Sequence, residues 1–340
     1  MSLQDKILGC IYGGAVGDAL GYPVEFISAE RIFSRYGECG ITEYSLTDGV
    51  AQISDDTQMT LFTLEGLLRA EDLYSHPIAD NYVTEVYGSY LDWLYTQEHS
   101  FSKSSDAKRS ELLKHRELYD RRAPGNTCLS ALDSGFCGSF ELKLNNSKGC
   151  GGVMRTAPVA ALFATKEHNP AESDILAARI AAITHSHPLG YIPAAFLNRL
   201  LLAVFRGGTL TAAVTEARSA VLAEFSSKDC EYFDRLIDLA VEFAKDAELD
   251  DDLDGIVRIG EGWVAEETVA ISVFCALRHS NDFEAAVIAS VNHSGDSDST
   301  GAVTGNIMGA LLGYEAIPSK FTEKTELSDL ILSLTKRIFE

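Results

Sequence analysis

Apolar residues recur at three- and four-residue spacing along most of the chain, the period of a helix that buries one face. In residues 6–21 the pattern runs through Ile7, Leu8, Ile11, Ala15, Val16, Ala19 and Leu20. A second stripe occupies the same stretch: Gly9, Gly13, Gly17 and Gly21, each four residues after the last. Glycine costs a helix about 1 kcal/mol relative to alanine, so four on one face require a compensating contact. A smooth face that another backbone can approach closely supplies it. The device returns near the other end as Gly301, Gly305, Gly309 and Gly313, with Ala302, Val303, Ile307, Met308, Leu311 and Leu312 between them. Two readings are open: the striped helices pack on each other at the centre of the fold, or each makes a separate tight contact.

The same periodicity predicts helices over 57–70, 83–96, 153–165, 174–184, 192–205, 211–223, 230–244, 267–279 and 283–291. Strand-like alternation is scarce and short. Residues 97–110 and the acidic run 246–254 read as surface loops. No low-complexity linker and no fixed-length repeat divides the chain, so the expectation is an all-α fold in a single domain, 1–340.

Composition narrows the partners. A hydrophobic fraction of 46% suffices for a large core. The formal net charge of −22 repels a phosphate backbone, so nucleic acid is not an expected partner, and part of the excess acid is free to meet cations. The seven cysteines include no C-x-x-C pair and mostly sit in apolar or Gly-rich settings, as reduced core thiols do. No apolar run is read as reaching the ~18 residues of a membrane helix, and no basic-then-apolar leader follows Met1. A cytoplasmic location away from membranes is expected. The oligomeric state is left open, with a monomer favoured.

Two acidic clusters carry the candidate chemistry. Ser54-Asp55-Asp56-Thr57 opens one predicted helix and Asp296-Ser297-Asp298-Ser299-Thr300-Gly301 opens another. Each has a plain structural reading, because Ser and Asp cap helices and acids suit the N-terminal dipole. The second cluster begins like a calcium loop, but Ile307 stands where an EF-hand places its bidentate glutamate. Neither cluster is a complete cage. Together they offer four carboxylates and two hydroxyls, hard donors suited to Mg²⁺, Mn²⁺ or Ca²⁺ rather than zinc. If they meet in space, two cations about 4 Å apart become feasible.

Other groups remain ambiguous at this level. Glu25, between Val24 and Phe26, is either a surface acid or a partly desolvated one whose raised pKa suits proton transfer; Asp18 is equally open. Gly149-Cys150-Gly151-Gly152-Val153-Met154-Arg155 is a Gly-rich turn before a predicted helix, a place for a diphosphate, although it is neither a Walker loop nor G-x-G-x-x-G. Pro124-Gly125-Asn126-Thr127-Cys128 reads as a polar turn that can offer amides to a ribose or base. His185, in Thr184-His185-Ser186-His187-Pro188, has no nearby partners to complete a zinc tetrahedron. A hydrogen bond to ribose or phosphate is open to it, and a structural cap is open to His187. No G-x-S-x-G elbow occurs.

The blocks GDALGYPVEF, SDDTQMT, APGNTCLSAL, GCGGVMRTAPVA, ITHSHP, EGWVAEE and NHSGDSDSTGAVTGNIMGALLG, in this order from Ile7 to Gly313, resemble the ADP-ribosylglycohydrolase family. The resemblance implies a compact all-α fold with a dinuclear magnesium site in a central cleft. It implies metal ligation by Ser54, Asp55 and Asp56 from one side and by Asp296, Asp298 and Ser299 from the other. Two Mg²⁺, with Mn²⁺ an alternative, are the cofactors implied. Glu25 matches the family's acid beside the metals, and Glu25, Asp55 and Asp298 are the implied catalytic set. Asn126, Thr127, Gly149, Cys150, Gly151, Gly152, Met154 and His185 would line the ADP-ribose cleft. Three positions depart from many relatives: Ser54 and Ser299 stand for Thr, which keeps the oxygen donor, and Cys150 stands for Asn, which alters contacts in its loop.

The implied activity is Mg²⁺-dependent removal of ADP-ribose from modified protein side chains, ADP-ribosyl-arginine first, with an ADP-ribosylated protein or ADP-ribose as partner. Alternatives are a protein that binds ADP-ribose without turnover, a metal-dependent hydrolase of another ADP-ribose-containing small molecule, and a purely structural protein.

Overall fold

The computed structural model describes residues 1–102, 110–249 and 251–340. Among these residues the chain is helical, and its β structure is confined to isolated bridges, such as Gly149 with Val264. The helices are α1 (Leu3–Gly21), α2 (Ala29–Tyr36), α3 (Asp55–Leu73), α4 (Ala79–Glu98), α5 (Asn126–Asp133), α6 (Ala157–Phe163), α7 (Pro170–Ala182) and α8 (Pro188–Phe205). They continue with α9 (Leu210–Glu224), α10 (Ser227–Lys245), α11 (Asp252–Ile259), α12 (Ala265–Arg278), α13 (Phe283–Val291), α14 (Ser297–Leu312), α15 (Ser319–Thr322) and α16 (Ser328–Lys336). One continuous buried apolar cluster draws side chains from α1 through α16.

Local chemistry sets the helix starts. Ser2, Ser28, Ser54, Asn169, Thr209 and Ser226 each accept a backbone N–H of their helix's first turn through a side-chain oxygen, satisfying donors that have no intrahelical partner. Pro170 and Pro188 open α7 and α8 where a missing N–H costs nothing.

The two glycine stripes meet. Helices α1 and α14 run antiparallel with their backbones in contact. A Cβ placed on Gly17 would lie 1.9 Å from the Gly301 carbonyl oxygen, one on Gly13 2.4 Å from that of Gly305, and one on Gly9 2.4 Å from that of Gly309. At the end of the seam the Ser297 carbonyl would lie 2.2 Å from a Cβ on Gly21. The C-terminal end of α1 is therefore fixed against the first turn of α14.

Four expectations need correction. A helix from Val153 does not form: Cys150–Gly152 make a short 3-10 turn and the helix begins at Ala157. Pro158 is tolerated only in a first turn, so no helix runs through it from 153. The turn around Asn126 and Thr127 is the first turn of α5. The acidic run after Asp246 ends in a helix, because Asp251 accepts the Asp254 N–H at 2.8 Å and caps α11; residue 250 lies outside the described residues, as do 103–109 of the expected 97–110 loop. Finally, α8, with 18 residues and mean hydropathy 1.4, is long and apolar enough to cross a membrane. In this fold 83% of that stretch is buried among other helices, and its Asn198 and Arg199 both bond Asp174 of α7.

Gly→Ala in a helix normally stabilises it. Here Gly17→Ala and Gly305→Ala are expected to destabilise the chain by about 1–3 kcal/mol or more, since the obstructing atoms are backbone. Urea unfolding followed by circular dichroism measures this; a rise in the midpoint for either variant would contradict the seam.

Candidate functional site

The seam of α1 and α14 positions the acids. Asp18, in α1 and fully buried, accepts the Ser54 N–H through both carboxylate oxygens at 3.0 Å and the Thr57 N–H at 3.1 Å. It thereby holds the first turn of α3, and with it Asp55 and Asp56, beside α1. Asp296 caps α14 and Asp298 lies in its first turn. Glu25 follows α1 by one short 3-10 turn. Glu25, Asp296 and Asp298 can each present an oxygen within 4.8 Å of the others.

Asp55 is tied on its other side. Its N–H bonds the Arg122 carbonyl at 3.1 Å, and its Oδ2 accepts the Gly125 N–H at 3.2 Å. Arg122 is held by a buried ion pair with Glu326 and donates to the Ile53 carbonyl at 3.1 Å. The segment from Arg122 to Gly125 is thus strapped to the start of α3.

These elements enclose a cleft of about 280 Å³, open to solvent. It is lined by Glu25, Asp55, Asp56, Asp296, Asp298 and Ser299 together with Asn126, Thr127, Gly149, Cys150, Gly151, Met154 and His185. Two expected residues stand back from it. Ser54 is fully buried and its hydroxyl accepts the Asp56 N–H at 3.2 Å. Gly152 packs under the loop, where a Cβ would lie 2.5 Å from the Gly190 carbonyl and 3.4 Å from the His185 Cβ.

Five carboxylates line this cleft, and among the described residues no lysine or arginine does. Burial, then the neighbouring charge of Asp298, pushes the pKa values of Glu25, Asp55, Asp56 and Asp296 upward. Asp18 is raised by the same two causes, opposed by its bonds from Thr57 and Ser54. Glu25 Oε2 and Asp56 Oδ2 are buried without a hydrogen-bond partner. Desolvated, mutually repelling carboxylates with unpaired oxygens are costly, and a hard divalent cation is the group that removes that cost. The donor set therefore fits magnesium or manganese: all oxygen, with neither a thiolate nor an imidazole required.

His185 is 2% exposed. Burial, then the charge of Arg155, lowers its pKa to about 3, so it is a neutral imidazole. At the rim Phe26, exposed and in the left-handed region at φ 62°, stacks on Trp263 at 5.3 Å. Both rings line the cleft mouth.

Several of these residues carry no local signal. Asp18 reads as one polar position in an apolar helix, and its partners lie 36 and 39 residues away. Arg122 and Glu326 are 204 residues apart. Trp263 belongs to the EGWVAEE block but has no intrinsic mark of a cleft residue.

Comparison with known proteins gives a consistent picture. Residues 1–340 match the profile of the family described as ADP-ribosylglycohydrolase. The chain is 26% identical over 332 residues to an ADP-ribosyl-[dinitrogen reductase] glycohydrolase of Rhodospirillum rubrum, covering 96% of this chain and 92% of that one. It is 23% identical to an ADP-ribosylarginine hydrolase, Tri1, of Pseudomonas putida, covering 99% of this chain and 78% of that protein. Among solved structures, an ADP-ribosylglycohydrolase-related protein complex superposes with a TM-score of 0.63 at 22% identity, covering 99% of this chain and 98% of the other; that likeness shows the fold.

The raised carboxyl pKa values give a signed expectation for the metal-free chain. An acid whose folded pKa exceeds its unfolded one contributes stability below the unfolded value, near pH 4, and loses it as pH rises through the folded value. Without divalent cations the chain should therefore lose stability as pH rises from about 4 through neutrality. Asp298→Asn, which removes the charge common to these shifts, should stabilise the metal-free chain at pH 8 by about 1–4 kcal/mol. Thermal melts in chelator across this range test both. A metal-free melting temperature that climbs with pH, or an Asp298→Asn variant that melts lower, would count against the electrostatic account.

Proposed function

As the chain belongs to the ADP-ribosylglycohydrolase family, we propose that it hydrolyses the glycosidic bond between ADP-ribose and a protein side chain, with ADP-ribosyl-arginine as the favoured substrate. The observation that carries this reading is the convergence of Glu25 and the two acidic helix starts on one cleft, with buried carboxylate oxygens left unpaired. The names of two relatives, one acting on ADP-ribosyl-arginine and one on an ADP-ribosylated reductase, support the linkage class.

Asp55, Asp56, Asp296 and Asp298, with the hydroxyl of Ser299, would hold two Mg²⁺, and Ser54, set back from the cleft, would brace Asp56 through its N–H. Bound there, the ions would neutralise the cluster and supply Lewis acidity toward water and ribose hydroxyls.

The protein's own groups account for the remaining steps. Loss of the side-chain nitrogen from the anomeric carbon leaves oxocarbenium character, and the negative wall of the cleft stabilises that positive charge. Glu25 faces this space with an unpaired oxygen, and we assign it to take a proton from the attacking water. The water oxygen bonds to the anomeric carbon, and the departing guanidine nitrogen gains a proton. Asn126, Thr127 and the Gly149–Gly151 backbone hold the ADP-ribose side of the bond, with Met154 and the rim rings Phe26 and Trp263 limiting water access.

Release of ADP-ribose from ADP-ribosyl-arginine and ADP-ribosyl-serine peptides, measured by mass spectrometry with and without Mg²⁺, tests the reading. Asp55→Ala and Asp298→Ala should each abolish turnover while leaving the helical circular dichroism intact. Glu25→Gln should lower the rate by about 10²–10⁴-fold. Undiminished release by either aspartate variant with Mg²⁺ present would refute the scheme. ADP-ribose binding by the unchanged chain, with no release from any peptide, would favour a binding module instead.

A further inference from the structure

Behind the Gly149–Gly151 turn lies a cation that the reaction above does not use. Arg155 is fully buried, and no carboxylate pairs with it among the described residues. Its Nη1 donates to Cys128 Sγ at 3.1 Å and to Met59 Sδ at 3.4 Å, its Nη2 donates to Thr184 Oγ1 at 2.6 Å, and its guanidinium lies 4.5 Å from the Tyr90 ring centre. Its Nε has no partner. A buried guanidinium held by two sulfurs, one hydroxyl and a ring is expensive to retain, so its position calls for a reason beyond packing.

The reason lies one hydrogen bond further on. Thr184 Oγ1 stands 2.9 Å from His185 Nδ1. Arginine has no acceptor atom, so in the Arg155–Thr184 bond the hydroxyl accepts, and its own proton is left to donate. The nearest acceptors are His185 Nδ1 at 2.9 Å and Cys128 Sγ at 4.0 Å, and the sulfur already receives Arg155. The hydroxyl proton therefore goes to Nδ1, and the imidazole carries its own proton on Nε2. That atom faces the cleft turn, 3.3 Å from where a Cβ on Gly149 would stand.

We infer that Arg155 is a positioning residue: through the Thr184 hydroxyl it holds His185 as an uncharged imidazole protonated on Nε2, presenting one donor to an oxygen of the ligand. The arrangement gives the acidic cleft a neutral donor rather than a cationic one. Such a donor bonds a phosphate or ribose oxygen without ion-pairing to Asp or Glu. Burial and the charge of Arg155 also disfavour the imidazolium. Naming the acceptor as an ADP-ribosyl oxygen rests on the function proposed above; the tautomer itself does not.

The test separates the two. In the full-length chain labelled with ¹⁵N-histidine, His185 is assigned by its loss in His185→Gln, and its tautomer is read from long-range ¹H–¹⁵N correlations at neutral pH. Binding of ADP-ribose is measured by calorimetry on the same samples. The unchanged chain should show His185 protonated on Nε2 alone. Thr184→Val, which exchanges a hydroxyl for a methyl, should give mixed tautomers and about fivefold to tenfold weaker ADP-ribose binding. Thr184→Ser should restore both. Arg155→Met should also mix the tautomers; if it does not fold, Thr184→Val carries the test. A His185 proton on Nδ1 in the unchanged chain, an imidazolium at neutral pH, or an unaltered tautomer in Thr184→Val would overturn the inference. Tautomer changes as expected in a chain that never binds ADP-ribose would leave the relay standing and count against the proposed function.

Discussion

The antiparallel contact between α1 and α14 is the constraint on which the site depends. It is a backbone-to-backbone contact, possible only because glycine faces glycine along three turns. Such an approach leaves little freedom to slide, since any shift brings a side chain against a carbonyl. It fixes where α1 ends relative to where α14 begins. Glu25 and Asp18 belong to one side of that junction, Asp296 and Asp298 to the other. Asp18 then extends the constraint to a third helix by gripping the N–H groups of Ser54 and Thr57. Three separate stretches of chain are thereby placed around one cleft by two devices, a glycine seam and one buried carboxylate.

The electrostatics of that cleft run against the stability of the fold. Most of the chain's acids stand at the surface, where water screens them at little cost. The five in the cleft are desolvated and near one another, and burial with the charge of Asp298 raises four of them. Such a cluster persists only where the surrounding structure holds it. The cleft is braced for this: Asp55 by Arg122 and Gly125, Arg122 by Glu326, and both acidic helix starts by their own N-terminal dipoles. Rigid acids with unpaired oxygens are what a hard cation requires.

The rest of the cleft lining has a different character. It is built from glycine backbone, the first turn of α5 and the neutral ring of His185. The buried cation on this side, Arg155, is withheld from the cleft by its bonds to Thr184 and Cys128. The site thus combines carboxylates suited to cations and developing positive charge with uncharged donors suited to oxygen acceptors. A ligand carrying both a ribose and phosphates can satisfy both at once.

The sequence by itself determined the helical class, most helix positions, the capping acids at 54–56 and 296–299, and the two glycine stripes. Each of these depends on period, cap or backbone freedom, properties that residues a few positions apart set among themselves. It left open whether the stripes meet, whether Glu25 is buried, and whether the acidic caps share a cleft. It also read Pro124–Cys128 as a turn, although α5 begins at Asn126, and ran a helix through Pro158. Only the tertiary structure decided that Asp18 binds Ser54, that Arg122 reaches Glu326, and that Arg155 stands behind His185. Those pairs are separated by up to 204 residues or hidden inside apolar helices, and no local pattern encodes a contact whose geometry exists only once the helices have packed.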